Sequence, residues 1–203
     1  MNPASHHRTR ADLLVAAVRL IRTSEAARDV TVRRIVEDAR ANLNAVNYHF
    51  GSKENLVREA VRVIIGDYFR ERGMAPGSTG PDLLANLVRI CDFLFAEPVA
   101  AELALRSELD VGGAGESLTS ETMTALAEMV RHACPALPDQ DVRFRVLVVT
   151  AVVHQLFLRP RGSGEWLGAD PGDKATRDAM LARLCSLAGL ATEMQSDPRG
   201  RKT

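Results

Sequence analysis

Val30-Thr-Val-Arg-Arg-Ile-Val-Glu-Asp-Ala-Arg-Ala-Asn-Leu-Asn-Ala-Val-Asn-Tyr-His-Phe-Gly-Ser-Lys53 is the stretch whose reading decides the fold. Thr31 is a good N-cap, because its hydroxyl can accept from an amide that the first helical turn leaves unpaired, so a short helix is predicted over 32–39. Asn42 offers a second cap three residues after Ala39, which forces a sharp turn and a second helix over about 43–48. On that second helix Asn44, Asn47 and Tyr48 stand at i, i+3 and i+4 and share one face, while Val46 and Phe50 can point into a core. Asn can make paired bonds to adenine in a major groove, Tyr can bond a phosphate, and Arg33, Arg34 and Lys53 supply cations at the flanks. Ser52 caps a further helix whose first amides can hold a phosphate beside Lys53.

Thr31-Val32-Arg33-Arg34-Ile35, followed by Ala45-Val46-Asn47-Tyr48-His49-Phe50-Gly51-Ser52-Lys53-Glu54-Asn55-Leu56, resembles the DNA-binding domain of the TetR family of bacterial transcriptional regulators. The likeness covers about residues 9 to 68. It implies base or phosphate contact from Arg33, Leu43, Asn44, Ala45, Asn47, Tyr48, His49 and Lys53. Two positions depart from the family pattern. Arg40 stands where the turn normally has Gly, so either Arg40 accepts a left-handed backbone or the turn differs. Asn47 stands where Tyr is frequent, exchanging a phosphate contact for a base contact. His49 either contacts DNA or only packs at the helix end.

Charge supports a local reading of the DNA face. The chain of 203 residues is neutral as a whole, yet residues 1–72 hold 13 Lys+Arg against 9 Asp+Glu. A phosphate-binding face needs local, not global, positive charge. Hydrophobic residues make up 46%, enough for a sizeable core. Cys91, Cys134 and Cys185 are widely spaced and odd in number, which predicts buried thiols in a reducing, cytoplasmic setting, with neither a disulfide scaffold nor a zinc site. No apolar run reaches the length of a membrane helix.

Outward from the motif, residues 1–9 are expected to form a loose arm in which Arg8 and Arg10 either follow the DNA or simply fray. An amphipathic helix should run over 10–23 and a loop over 24–29. After Ser52 a long helix bears Leu56, Val57, Ala60, Val61, Ile64, Ile65, Tyr68 and Phe69, an apolar surface too broad for a three-helix head alone. By resemblance this helix connects the head to a regulatory domain; Gly66 within it marks either close packing or a soft point. Gly and Pro at 74–81 place a domain boundary there. Further helices are predicted over 82–96, 99–109, 120–134, 139–158 and 174–195, with long connections at 110–116 and 159–171.

The expected fold is therefore all-α. Residues 1–72 form a helix-turn-helix domain (motif about 31–50) with its connecting helix, 82–195 a helical regulatory and dimerisation bundle, and 196–203 a disordered tail. The segment 142–158 is apolar nearly all round, so with 174–195 it is either a four-helix homodimer interface or the centre of a monomer. The function implied is a dimeric repressor on a palindromic operator in double-stranded DNA, released by a small apolar effector. The alternatives are a regulator acting by occupancy without an effector, or a helical enzyme or carrier. No catalytic constellation supports the last, since the closest His pair, His6 and His7, sits in the arm; no cofactor or metal is expected. Phe93, Phe95, Met123, Met129, Phe144, His154 and Trp166 could line an effector cavity, but such residues are more often core.

Overall fold

The structure, a computed structural model, describes residues 3–73, 83–110 and 118–190; side chains are described for 9–73, 83–106, 118–132 and 134–190. Among these it is helical throughout: α1 (Pro3–Thr23), a 3-10 turn (Ala27–Asp29), α2 (Val32–Asp38), α3 (Leu43–Phe50), α4 (Lys53–Glu71), α5 (Leu83–Ala96), α6 (Pro98–Asp110), α7 (Leu118–Ala133), α8 (Asp139–Leu158), α9 (Pro160–Leu167) and α10 (Lys174–Leu187). The boundary expected at 74–81, the connection at 111–116 and the tail at 196–203 lie outside the described residues. Contacts divide the chain into two compact units, one holding α1–α4 with α6, the other α5 with α7–α10. The division is not the consecutive one expected, because α6 belongs to the first unit.

In the first unit α1 packs on α2, α3 and α4, burying Leu13, Ala17, Leu20 and Ile21 against Ile35, Val46, Leu56 and Ile64. The breadth of the apolar surface on α4 is explained by α6, which lies against α4, α1 and the 3-10 turn and buries Val99, Ala100, Ala101 and Leu105. Arg10 is no arm residue. It sits inside α1, pairs with Glu59 at 2.6 Å and lies 4.8 Å over the Phe50 ring, so α1 is tied at its start to α4 and to the end of α3. Gly66 is not a close-packing glycine, since an added Cβ would meet only the flexible Arg70 guanidinium at 3.7 Å.

The turn between α2 and α3 keeps its geometry with Arg40 in the glycine position. Arg40 takes φ 51, its amide donates to the Glu37 carbonyl at 3.2 Å, and the Ala41 amide donates to the Val36 carbonyl at 2.9 Å. These are the two bonds of a Schellman ending, which asks for a left-handed residue at that place. A side chain there is strained, so Arg40→Gly is expected to raise the stability of the head by about 0.5–1 kcal/mol. Chemical denaturation of parent and variant checks this; an unchanged midpoint counts against the strain.

In the second unit Leu83, Leu87, Leu126, Val130, Val142, Val146, Val149 and Cys185 form one core cluster. The last helix stops at Leu187 rather than 195. Gly189 at φ 68 lets the Leu190 amide reach the Cys185 carbonyl at 2.8 Å, and Leu190 turns back into the core; 191–195 lie outside the described residues. The connection expected over 159–171 also holds a helix, α9, with Pro160 at its first turn and Gly168 closing it in the left-handed conformation.

All three cysteines are free and buried. Burial pushes the Cys91 thiol up to about 12, against the pull of the nearby Arg177. A thiol so held stays protonated and inert, so native protein is expected to leave Cys91 unlabelled by a thiol reagent at about pH 8 and to expose it only on unfolding; rapid native labelling of Cys91 contradicts the packing.

Candidate nucleic-acid interface

Three side-chain caps place α3. The Thr31 hydroxyl accepts from the Arg34 amide at 3.3 Å, the Asn42 side-chain oxygen from the Ala45 amide at 2.9 Å, and the Ser52 hydroxyl from the Asn55 amide at 3.1 Å. Gly51, at φ 77, ends α3, and the Asn55 side-chain amide donates to the Phe50 carbonyl at 2.9 Å. Val46 and Phe50 are buried and fix the rotation of α3 about its axis. With those two inward, Asn44 and Asn47 are exposed, Leu43 is 52% exposed and Tyr48 73%. The face predicted to read bases is thus turned outward, and none of its exposed members is ionised. Ala45 and His49 are half-buried at its margin; the His49 ring stands edge-on to Tyr48 with centroids 5.0 Å apart.

The flanking cations have partners. Arg33 is exposed and donates to Glu37 one turn on at 2.9 Å, which pushes its guanidinium further above its ordinary value. Arg34, also exposed, donates to the Asp29 carbonyl at 2.8 Å. Both are solvent-facing contacts that a phosphate can replace, because exposed pairs are weak. Lys53 is half-buried at the first position of α4, next to the N-terminal amides that favour an anion.

The seven residues that could line an effector cavity differ in burial. Phe93 is buried, Met123 and Met129 pack against the core, Phe95 meets Phe157 with centroids 5.8 Å apart, His154 is half-buried, and Phe144 and Trp166 are 65% and 89% exposed. A groove of about 530 Å³ on the head, bordered by Leu14, Val15, Val18 and Val63, had no signal beyond the exposed Val15, and none of its lining residues is on α3. Among the described residues no helix is long and apolar enough to cross a membrane, and no group of His, Cys, Asp and Glu is placed to hold a metal ion.

Residues 13–60 match the family model for bacterial regulatory proteins of the tetR family. No curated protein matches the chain. A solved structure, that of the multidrug binding protein EbrR complexed with proflavin, is similar in fold, with a TM-score of 0.50 and 19% sequence identity over 87% of this chain and 99% of that one.

Proposed function

Because residues 13–60 carry the head of the TetR family of bacterial regulatory proteins, we propose that the chain is a sequence-specific, homodimeric transcriptional repressor whose grip on a palindromic operator is released by a small apolar molecule. The observation that carries the reading is the outward, uncharged face of α3, with Asn44, Asn47 and Tyr48 exposed and Val46 and Phe50 holding it in place. Asn44 and Asn47 read base edges. Leu43, Ala45, Tyr48 and His49 complete the contact surface, and Arg33, Arg34 and Lys53 hold phosphates.

Two features of the second unit support pairing with a second copy. Phe144, Leu147, Val148, Val152 and Leu158 of α8 are exposed large apolar residues, and α10 exposes Ala179, Ala182 and Leu187. Helices 139–158 and 174–187 of two copies can form a four-helix seam. Such a dimer presents two heads to half-sites about 34 Å apart or a multiple of it. An effector lowers operator affinity only through its preference for one arrangement of the heads, and a coupling of about 1–3 kcal/mol already gives about 5- to 150-fold. The neighbour solved with proflavin supports a small-molecule effector; the second reading is occupancy without an effector.

Selection from randomised duplexes tests the proposal. The selected sequence should be palindromic, and Lys53→Ala should weaken all selected sites about equally while flattening the salt dependence by about one ion per head. Selected sites without symmetry contradict the dimer. Titrating apolar metabolites against the bound duplex separates the two readings, since no release by any of them leaves occupancy alone.

A further inference from the structure

Trp166 is the only tryptophan of the chain, and it stands 89% exposed near the end of α9 beside Leu167 at 53%. An indole carries a large apolar area and is enriched at the buried centres of interfaces, so its position on open surface points to a partner. Its surroundings say which one. Ala151, Val152, Gln155 and Leu156 of α8, with Gly162, Ser163, Leu167 and Trp166 itself on α9, border a groove of about 360 Å³. Ser163 is turned inward, its hydroxyl donating to the Gln155 carbonyl at 3.3 Å.

Gly162 is the telling residue. Gly164, two positions on, is small for a reason inside the subunit, since its Cβ would come within 3.0 Å of the Ala169 carbonyl oxygen. Gly162 has nothing within 4 Å of a Cβ, and glycine weakens a helix interior. Its smallness is therefore not demanded inside the subunit, and it keeps the groove open to a side chain from outside.

The groove continues into the outer stripe of α8, where Phe144, Val148, Ala151, Gln155 and Leu158 recur at spacings of four and three, the period of a helix seam. Neither stripe nor groove contains an ionised group. One patch thus carries an exposed indole and a groove whose lining includes the small residues Ala151, Gly162 and Ser163. A two-fold axis requires whatever one copy inserts to be inserted by the other, and only a surface holding both halves of the fit can satisfy it. Arg161 and Glu165, both exposed on α9, are neighbours in sequence of Gly162 and Trp166 and carry opposite charges, so copies meeting there can pair rather than repel.

We propose that Trp166 is an interprotomer anchor, each copy seating its indole in the partner's α8–α9 groove over the partner's Gly162. The inference rests on the homodimer reading and assigns to α9 a role in it.

The test uses the full chain, with sedimentation equilibrium and tryptophan emission, which reports Trp166 alone. The expected result is a dimer with blue-shifted emission that moves to the red on dilution in step with dissociation. Trp166→Ala and Gly162→Leu each raise the dimer dissociation constant at least tenfold while circular dichroism stays unchanged; a Cβ at 162 meets nothing within 4 Å in the subunit. A dimer whose emission is that of an exposed indole, and whose two variants pair like the parent, overturns the anchor and leaves the homodimer standing. Weakening by Trp166→Ala alone overturns the groove assignment. A monomer at every concentration overturns the homodimer and the anchor together, and a monomer with blue-shifted emission shows the indole covered by something other than a second copy.

Discussion

The double variant Asn44→Ala, Asn47→Ala is expected to bind the selected operator about 30- to 10⁴-fold more weakly than the parent for each head engaged, because each lost pair of base contacts costs about 1–3 kcal/mol. Both side chains are exposed on α3, so removing them leaves the fold intact, and the loss should fall on the operator far more than on unrelated duplex. That contrast separates base reading from phosphate holding. The same comparison run with Lys53→Ala should show a parallel, smaller loss on both duplexes. Equal losses from both variants on every sequence would mean that the groove-facing side of α3 is misassigned.

The second large effect concerns stability. Arg177 is buried, only 4% exposed, and donates to Asp92 at 2.9 Å and to the Pro171 carbonyl at 3.1 Å. Its guanidinium lies 4.4 Å over the Phe95 ring, so one side chain ties α10 to α5 and to the connection after α9. Lys174 shares Asp92 at 2.9 Å. Arg177→Ala leaves that arrangement without its centre and is expected to cost about 3 kcal/mol, the size found when one partner of a buried pair is removed. The guanidinium Nε finds no acceptor, so the pair is imperfectly satisfied, and the apolar double replacement Arg177→Met, Asp92→Leu should regain most of the loss. Thermal melts of the parent and the two variants check the ordering.

The pH dependence follows from Asp92. Partial burial works against its ionisation, but hydrogen bonds from Lys174 and Arg177 outweigh it and hold the carboxyl below the ordinary carboxylate range. A carboxylate depressed in the folded state stabilises above its unfolded value of about 3.9 and loses that contribution as pH falls through the folded one. The gap in stability between parent and Arg177→Ala should therefore narrow below about pH 4. A gap that stays constant or widens there would assign the loss to packing on Phe95 instead.

The helix-turn-helix was legible because its determinants are local. Thr31, Asn42 and Ser52 each cap the helix that follows them within three residues, and Val46 and Phe50 fix which face of α3 turns inward. Arg40 could be flagged from sequence but not decided, since its left-handed backbone is held by bonds to Glu37 and Val36 that only the closed turn supplies. The docking of α6 onto α4 was not legible. It is a pairing between helices distant in the chain, and the apolar surface of α4 signals only that some partner exists. Over α9, Gly162 and Gly164 read as loop, although Pro160 at the start and Gly168 at the end were the signals of a short helix. Gly189 likewise marked the end of α10 before 195. An effector pocket could not be assigned from sequence for a different reason: aromatic and Met residues on amphipathic helices fill cores and cover surfaces alike, and composition does not distinguish the two.

The claim that everything else depends on is that the head binds duplex DNA through α3 and its flanking cations. Titrating the purified protein against labelled operator duplex over a range of salt concentrations tests it most directly. With Arg33, Arg34 and Lys53 of two heads on phosphates, the logarithm of the binding constant should fall linearly with the logarithm of salt at a slope of roughly −5. Absence of binding at low salt, or binding whose strength does not change with salt, would contradict it.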